Sequence, residues 1–482
     1  MRLKHFICWV PIACIAVGVV VRVARASDEV PGAPQHGPVL LVGGDVYTVS
    51  GDVIRGGQVL FDQAKIVAVA KDVQAPSDVK RVDVSGKRVY PGLFAAGNDL
   101  GLTEVRSVRG TLDAEEIGDL NPNARAEVAV NPDSELIPVA RANGVLLNLT
   151  APEGSVIPGT SAVIQLDGWT WEDLTVKAPV AMHMAWPRMA PVTRSRRVRE
   201  GPEEQTKRRD EQLKALDQAF ADARAYLAAR KATAGEGEAE GKASTARAPR
   251  RTADFDARWE AMLPLLERRL PLVVEADEVR QIEAAVAFAA REKVKLVIFG
   301  GYDAPLCAEL LKAHDVPVIV NGVHRLPLRA DSPYDEPFTV PDRLREAGVK
   351  YCITLAHRFG GSDVRNLPYH AAAAAAYGLP ADEALKAITL YPARILGVAD
   401  RVGSIEPGRD ATLIVTDGDI LEPATHVEQA FVQGRGVDLS SKHTRLWQKY
   451  REKYRRQGNN GQTVAKPPVA PDKPTDGAGA GS

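Results

Sequence analysis

The stretch Val89–Thr103 reads V-Y-P-G-L-F-A-A-G-N-D-L-G-L-T, and it decides the fold of this chain. Its apolar residues predict a buried strand, which is followed at once by the small polar cluster Gly97-Asn98-Asp99. Pro91-Gly92 interrupts the apolar run near its start, as is typical where a chain crosses between two domains. We therefore expect one structural unit to end here and a second to begin, with polar side chains at the end of its first strand.

The length and composition indicate a large folded protein without a strong electrostatic bias. The chain has 482 residues, of which 45% are hydrophobic, and this is enough for two or three structural units. Its formal net charge is −1, so no overall field would draw it to nucleic acid, and we expect no nucleic-acid partner. Two of its four cysteines lie near the amino end. The others, Cys307 and Cys352, lie in apolar elements and are predicted to be buried thiols.

Residues 1–26 have the three parts of an export signal. These are a positive start, an apolar core and an A-x-A cleavage site, namely Arg2 with Lys4, Phe6–Val21 and Ala24-Arg25-Ala26. We expect an exported protein, periplasmic or secreted, with no stable membrane span after cleavage. Two alternatives are an uncleaved anchor and a lipoprotein modified at Cys14.

The two terminal segments of the chain share one sequence pattern. Residues 37–92 alternate short β-rich runs with glycine turns, which predicts a small antiparallel sandwich, and residues 401–438 repeat the pattern. Neither segment alone is large enough for a stable core. We expect both to form one composite β-sandwich into which the middle of the chain is inserted.

The middle of the chain, 93–400, alternates apolar strands with helical stretches. This rhythm predicts a parallel sheet, and the length favours an α/β fold of the closed (β/α)8 TIM-type barrel kind. An insertion at 194–262 carries an amphipathic helix, Glu203–Lys231, and a flexible loop, Lys231–Pro249. The helix is interpreted either as a hairpin packed on the barrel or as a surface for a partner.

The carboxyl end adds two short segments. Residues 442–456 predict a basic helix whose aromatic side chains pack on the protein while its charges face water. Residues 458–482 are rich in Pro, Gly and Ala without aromatics, which predicts disorder.

Several motifs resemble those of the amidohydrolase superfamily, in particular its imidazolonepropionase-like branch. They are Pro91-Gly92-Leu93, Arg365–Tyr369, Thr389–Gly397 and Gly403–Ala411. The resemblance implies a metal-assisted hydrolysis of carbon–nitrogen bonds other than peptide bonds, often in cyclic amides. It also implies zinc or another divalent ion, held by a His-x-His pair on strand one, histidines on strands five and six, and an aspartate on strand eight.

This sequence departs from that ligand set at every strand. Gly97 and Asp99 occupy the His-x-His positions, and Glu275 stands where strand five would supply a histidine. Strand six offers no ligand, and strand eight places Ala356 at the aspartate position with His357 beside it. A divalent ion needs about three imidazole or carboxylate ligands to form a hydrolytic nucleophile from water. We therefore predict degenerate metal motifs and no metal cofactor.

Three residues remain candidates for catalysis, namely Asp99, Glu275 and His357. The predicted pocket consists of the residues expected at the carboxyl ends of the barrel strands: Gly97, Asn98, Asp99, Glu275, Asp277, Gly300, Asp303 and His324. Asp99 and Glu275 could bind Ca²⁺ or Mg²⁺, could act as a metal-free acid/base pair, or could be hydrogen-bonded remnants. His183 is interpreted as a satisfied core histidine in preference to a ligand.

Two functional hypotheses follow from this pattern. The first is a non-catalytic pseudoenzyme that pairs with an intact amidohydrolase relative, self-associates, or binds a small molecule in the emptied barrel mouth. The second is an active hydrolase of cyclic amide-like carbon–nitrogen bonds with a non-standard site. Fold resemblance does not separate them, because function depends on the residues of the site.

Overall fold

The computed structural model describes residues 29–154, 156–193, 199–239, 254–356 and 360–458. The predicted signal peptide (1–26) and nearly all of the predicted disordered tail (458–482) lie outside these residues. The candidate catalytic residue His357 also lies outside them.

The first five strands build a side domain: β1 (Val39–Tyr47), β2 (Val53–Asp62), β3 (Lys65–Ala70), β4 (Lys80–Asp83) and β5 (Arg88–Pro91). Eight strands then form the barrel: β6 (Leu93–Asn98), β7 (Val145–Thr150), β8 (Gly159–Gln165), β9 (Thr175–Ala185), β10 (Leu272–Ala276), β11 (Leu296–Gly300), β12 (Val318–Asn321) and β13 (Tyr351–Thr354). The chain returns to the side domain through β14 (Leu413–Thr416), β15 (Val427–Val432) and β16 (Arg435–Gly436).

The helices lie mostly between or after the barrel strands. They are α1 (Leu136–Arg141), α2 (Trp171–Leu174), α3 (Pro202–Ala239), α4 (Ala257–Leu266), α5 (Val279–Glu292), α6 (Ala308–Ala313), α7 (Glu336–Glu346), α8 (Leu367–Ala376), α9 (Ala381–Ala387), α10 (Leu390–Ile395) and α11 (Lys442–Gly458).

The side domain joins the two ends of the chain in one sheet, as predicted. Its strands run in the order β16-β15-β14-β5-β1-β2-β3, with β4 paired to β1. The junction is the antiparallel pairing of β14 with β5, in which Leu413 lies opposite Pro91. Leu41, Phe61 and Val89 are buried in the core of this domain. Each terminal segment therefore supplies apolar surface that the other covers.

The barrel sheet is nearly closed and follows the order β13-β12-β11-β10-β9-β8-β7-β6. Strands β9 to β13 are parallel to one another, and β6 is parallel to β7. Strand β8, however, is antiparallel to both of its neighbours. The segments before and after β8 hold eight and nine residues (151–158 and 166–174), which is shorter than a parallel crossover needs. The TIM-type barrel is thus confirmed, with one reversed strand.

Helices α3 and α4 form the predicted insertion and pack on the barrel. Leu216, Phe220 and Ala223 of α3 are fully or almost fully buried. The Phe220 ring meets Phe288 of α5 edge-on, with centroids 5.0 Å apart. The amphipathic stripe of α3 is therefore covered by this chain's own barrel, and the helix continues to Ala239, past its predicted end at Lys231.

The first turn of helix α11 attaches it to the rest of the described chain. Arg445 forms ion pairs with Glu29 and Glu135, at 3.2 and 3.1 Å. The predicted packing of its aromatic side chains is wrong, because Trp447, Tyr450 and Tyr454 are 59%, 46% and 55% exposed.

Two smaller findings concern the cysteines and the helices. Cys307 and Cys352 are free and buried, as predicted. Among the described residues, no helix has both the length and the apolar character that crossing a bilayer requires.

Candidate functional site

A cavity of about 420 Å³ opens at the carboxyl ends of the barrel strands. Chemistry in barrels of this type takes place at this face. The residues that line the cavity are Gly97, Asn98, Arg106, Glu115, Ala151, Pro152, Glu153, Gly154, Pro158, His183, Met184, Ala185, Val273, Glu275, Phe299, Asn321 and Ala356. Three of the predicted pocket residues, Gly97, Asn98 and Glu275, are therefore brought together here.

The ring of Phe299 fills the space that a side chain at Gly97 would occupy. Gly97 has a φ of +116°, a conformation that side-chain-bearing residues rarely adopt. A Cβ atom built there would lie 2.8 Å from Cε2 of Phe299, which is on β11. The position that the family resemblance assigns to a histidine is thus closed in two ways, by backbone conformation and by the Phe299 ring.

Asp99 is held by the surrounding loops and does not line the cavity. Its side chain is fully buried and accepts hydrogen bonds from Arg106 Nη2 at 2.7 Å and from the Gly361 backbone N–H at 2.6 Å. Arg106 also donates to Glu153, at 2.8 and 3.2 Å. Both carboxylate oxygens of Asp99 are therefore engaged, and Arg106 links two loops above the barrel.

Glu275 lies within the cavity without a partner. It faces Phe299 across the β10–β11 pairing. No described residue donates a hydrogen bond to its carboxylate. The side chain is exposed to the space of the cavity. Burial below the protein surface raises the pKa of Glu275, and the negative charges of Asp277 and Glu153 raise it further. This carboxylate is therefore available to a ligand in the mouth.

His183 is a second unpartnered group in the wall. It lies opposite Val273 in the β9–β10 pairing, and its buried Nε2 atom has no hydrogen-bond partner. Burial lowers the pKa of His183 to about 4, so the ring is neutral near pH 7. The interpretation as a satisfied core histidine therefore does not hold for Nε2.

We expect His183 to make the protein acid-sensitive. Its folded pKa of about 4 lies below the ordinary histidine value of 6.5, so the unfolded chain binds a proton that the folded chain does not. The resulting loss of stability begins as pH falls through about 6.5 and is complete near 4. His183→Gln should flatten the dependence of the unfolding free energy on pH in this window. The exposed His314→Gln is the control, and identical pH profiles for both variants would contradict the assignment.

The remaining predicted pocket residues serve the loops around the mouth. Asn98 donates to Asn148 at 2.6 Å within a buried polar network. Asp277 accepts from Arg325 at 3.5 Å, and Asp303 pairs with Arg329. His324 packs its ring against His370, with centroids 4.2 Å apart.

Gly300 belongs to the same set, since a Cβ atom there would lie 2.8 Å from an oxygen of Asp277. Like Asp99, the residues Asp277, Gly300, Asp303 and His324 do not line the cavity.

The described residues do not fit a divalent ion of the kind the resemblance implies. Gly97 has no donor atom, the Asp99 oxygens are bonded to Arg106 and Gly361, and Glu275 is a single carboxylate. Among the described residues, no three His, Cys, Asp or Glu side chains converge on a common point that could hold a metal.

The predicted pocket omits Phe299, Arg106 and Glu153, which line the cavity. Phe299 is two residues along β11 from Val297, and this alternation places both on the inner face. That signal could have found Phe299. The contact of Arg106 with Asp99 depends on a loop without periodicity, and no pattern in the sequence indicates it.

A larger cavity, of about 1250 Å³, lies at the opposite end of the barrel. Basic residues line it, among them Arg268, Lys293, Lys295 and Arg394. These residues lie at or just beyond the carboxyl ends of α4, α5 and α10, where cations stabilise the helix dipole. These cations therefore have a structural explanation, and the strand-end cavity is the candidate functional site.

Comparison with known proteins gives consistent results. Residues 273–438 match the model of the Amidohydrolase family. The imidazolonepropionase of Mesorhizobium japonicum is 27% identical over 179 residues, which are 37% of this chain and 40% of the relative. That of Brucella anthropi is 26% identical over 149 residues, 31% of this chain and 35% of the relative. The alignments thus span about two fifths or less of these relatives' own length.

The fold comparison extends over most of the chain. An amidohydrolase from Thermotoga maritima superposes with a TM-score of 0.71 at 24% identity, covering 83% of this chain and 99% of the other. At this identity the likeness shows the fold alone. The family match over residues 273–438 and the two sequence alignments support the resemblance to the amidohydrolase superfamily and to its imidazolonepropionase-like branch.

Proposed function

We propose that this chain is an exported, non-catalytic member of the amidohydrolase superfamily that binds a small molecule in the mouth of its barrel. The observation that carries the proposal is the replacement of the first ligand position by a glycine whose side-chain space is filled by Phe299. A ligand cannot be supplied from this position while the ring and the backbone keep their places.

The second ligand position supports the same interpretation. Asp99 retains a carboxylate, but its oxygens are bonded to Arg106 and Gly361. A guanidinium supplies the positive charge next to Asp99, and a buried ion pair of this kind is broken only at a high cost in free energy. Recruiting Asp99 to a metal would require that cost in addition to the loss of both hydrogen bonds.

The cavity itself supports binding. Its volume of about 420 Å³ lies within the usual range for small-molecule sites. Val273, Met184 and Phe299 contribute apolar surface to its lining, and Glu275 presents a carboxylate without a partner among the described residues. Apolar side chains combined with a few polar groups are typical of ligand sites.

The proposal includes two further features. Export is proposed from the pattern of residues 1–26. Regulation of an intact amidohydrolase relative, or self-association, is the second role proposed for the scaffold. Interaction with nucleic acid is not part of the proposal, because the net charge is −1.

A second candidate is an active hydrolase of carbon–nitrogen bonds other than peptide bonds. The raised pKa of Glu275 favours it, since a carboxyl group that titrates nearer neutrality can act as a general acid or base. His357, which follows β13 in the sequence, is the other candidate residue for this hydrolase.

Metal content and turnover distinguish the two candidates. We expect the purified protein, incubated with Zn²⁺, Mn²⁺, Ca²⁺ or Mg²⁺ and then desalted, to retain substoichiometric metal and to hydrolyse no member of a panel of cyclic amides. The measurements are elemental analysis and product detection by mass spectrometry. Near-stoichiometric metal together with turnover that disappears in Glu275→Gln, but persists in the exposed control Glu116→Gln, would establish the hydrolase instead.

A further inference from the structure

The charges around the mouth cavity are unequally partnered. Arg106 is the lining cation, and its guanidinium is bonded to Asp99 and Glu153. Asp99 and Glu153 together already outweigh its charge. Two further lining carboxylates, Glu115 and Glu275, form no ion pair with any described residue. The cavity therefore has a negative character that no side chain of the described chain neutralises.

Glu275 places part of this excess negative charge at the barrel wall. It lies between Val273 and the Phe299 ring and has no hydrogen-bond donor among the described residues. A carboxylate taken partly out of water without a counter-ion is unfavourable. Protonation or a bound cation would remove the penalty, and the raised pKa of Glu275 reflects the first of these.

Two neighbours of Glu275 complement a positively charged organic group. Phe299 presents an aromatic ring to the same cavity, and aromatic faces attract cations within about 6 Å of the ring centre. His183 also lines the cavity and is neutral near pH 7, so it adds no positive charge that would repel a cation. A carboxylate and an aromatic ring beside an uncharged imidazole form a combination suited to nitrogen cations.

We propose that the barrel mouth binds a small organic cation of the amine, amidine or guanidine class, with Glu275 as its counter-ion and Phe299 as a cation–π contact. This inference rests on the proposed small-molecule-binding function and specifies the chemistry of the ligand. Arg106 does not neutralise Glu275, because its guanidinium is already bonded to Asp99 and Glu153 at the rim of the cavity.

The test uses three probes of one shape and different charge: benzamidinium, benzamide and benzoate. Isothermal titration of the purified full chain at pH 7.5 should show benzamidinium binding at least tenfold more tightly than benzamide, and no binding of benzoate. Glu275→Gln should abolish the preference for benzamidinium over benzamide. Phe299→Leu should weaken benzamidinium binding about fivefold, the size of a partly desolvated cation–π contact.

The controls separate this inference from the proposed function. Glu116→Gln removes an exposed carboxylate next to Glu115 and should leave all affinities unchanged. Thermal unfolding checks that each variant is folded, and Glu275→Asp, which keeps the charge, replaces Glu275→Gln if that variant unfolds; it should retain the preference at reduced affinity.

Three results would overturn the cation assignment. They are equal affinities for benzamidinium and benzamide, a preference that survives Glu275→Gln, and absence of benzamidinium binding. Binding of benzamide alone would overturn it while leaving a small-molecule site in place. Turnover with bound metal would instead refute the non-catalytic function.

Discussion

Replacing Gly97 by alanine should lower the free energy of unfolding by about 2–4 kcal/mol, from left-handed backbone strain and overpacking combined. The first contribution arises because Gly97 has a φ of +116°. The second arises because the new Cβ would lie 2.8 Å from Cε2 of Phe299, closer than real Cβ atoms approach such carbons. Urea unfolding followed by circular dichroism measures the effect.

A double variant separates the backbone strain from the steric contact with Phe299. Gly97→Ala/Phe299→Ala removes the steric contact but leaves the backbone conformation, so the double variant should lose less than the sum of the two single losses. Gly110→Ala is the control, since a Cβ atom there meets nothing within 4 Å. If the losses of Gly97→Ala and Phe299→Ala simply add, the ring does not fill the space at Gly97.

Replacing Arg106 by alanine should be destabilising by about 3 kcal/mol, because it leaves a buried carboxylate without its counter-ion. Asp99 has no exposed side-chain surface, whereas Arg106 is 36% exposed, so the cost falls on Asp99. The Gly361 N–H alone remains to stabilise the charge.

A double-variant cycle isolates this effect. Asp99→Asn/Arg106→Ala removes the buried charge and should recover part of the stability that Arg106→Ala loses. Arg109→Ala, an exposed arginine in the same loop, is the matched control and should change stability by less than about 0.5 kcal/mol. Equal losses for Arg106→Ala and Arg109→Ala would show that the Asp99 pair contributes nothing.

The sequence predicts the scaffold well because its signals are local. The apolar run before Gly97 becomes β6, and the repeated texture at the two ends of the chain becomes one sheet through the β5–β14 pairing. Alternation of strands and helices between these ends is sufficient to predict a barrel.

The reversed direction of β8 could not be predicted from its apolar pattern. Strand β8 is buried along its whole length, as parallel barrel strands are, so its apolar pattern does not reveal that it runs the other way. The short segments on both sides of it are the available signal, since too few residues remain for a crossover.

The site was predictable in part. Gly97, Asn98 and Glu275 line the cavity as predicted, and the lack of histidine at positions 97, 99 and 275 can be read from single positions. What replaced the histidines depends on contacts between residues far apart in the chain. Phe299 lies over Gly97 and Gly361 binds Asp99, and both pairs are separated by about two hundred residues or more. No periodicity in either segment encodes such a pairing.

The Gly97–Phe299 contact has a consequence for protein engineering. A histidine introduced at position 97 would meet the Phe299 ring and an unsuitable backbone conformation at once. Removing the ring alone would open a void and lower stability. Neither single substitution is favourable, so an imidazole could be built into this strand end only if both positions were redesigned together.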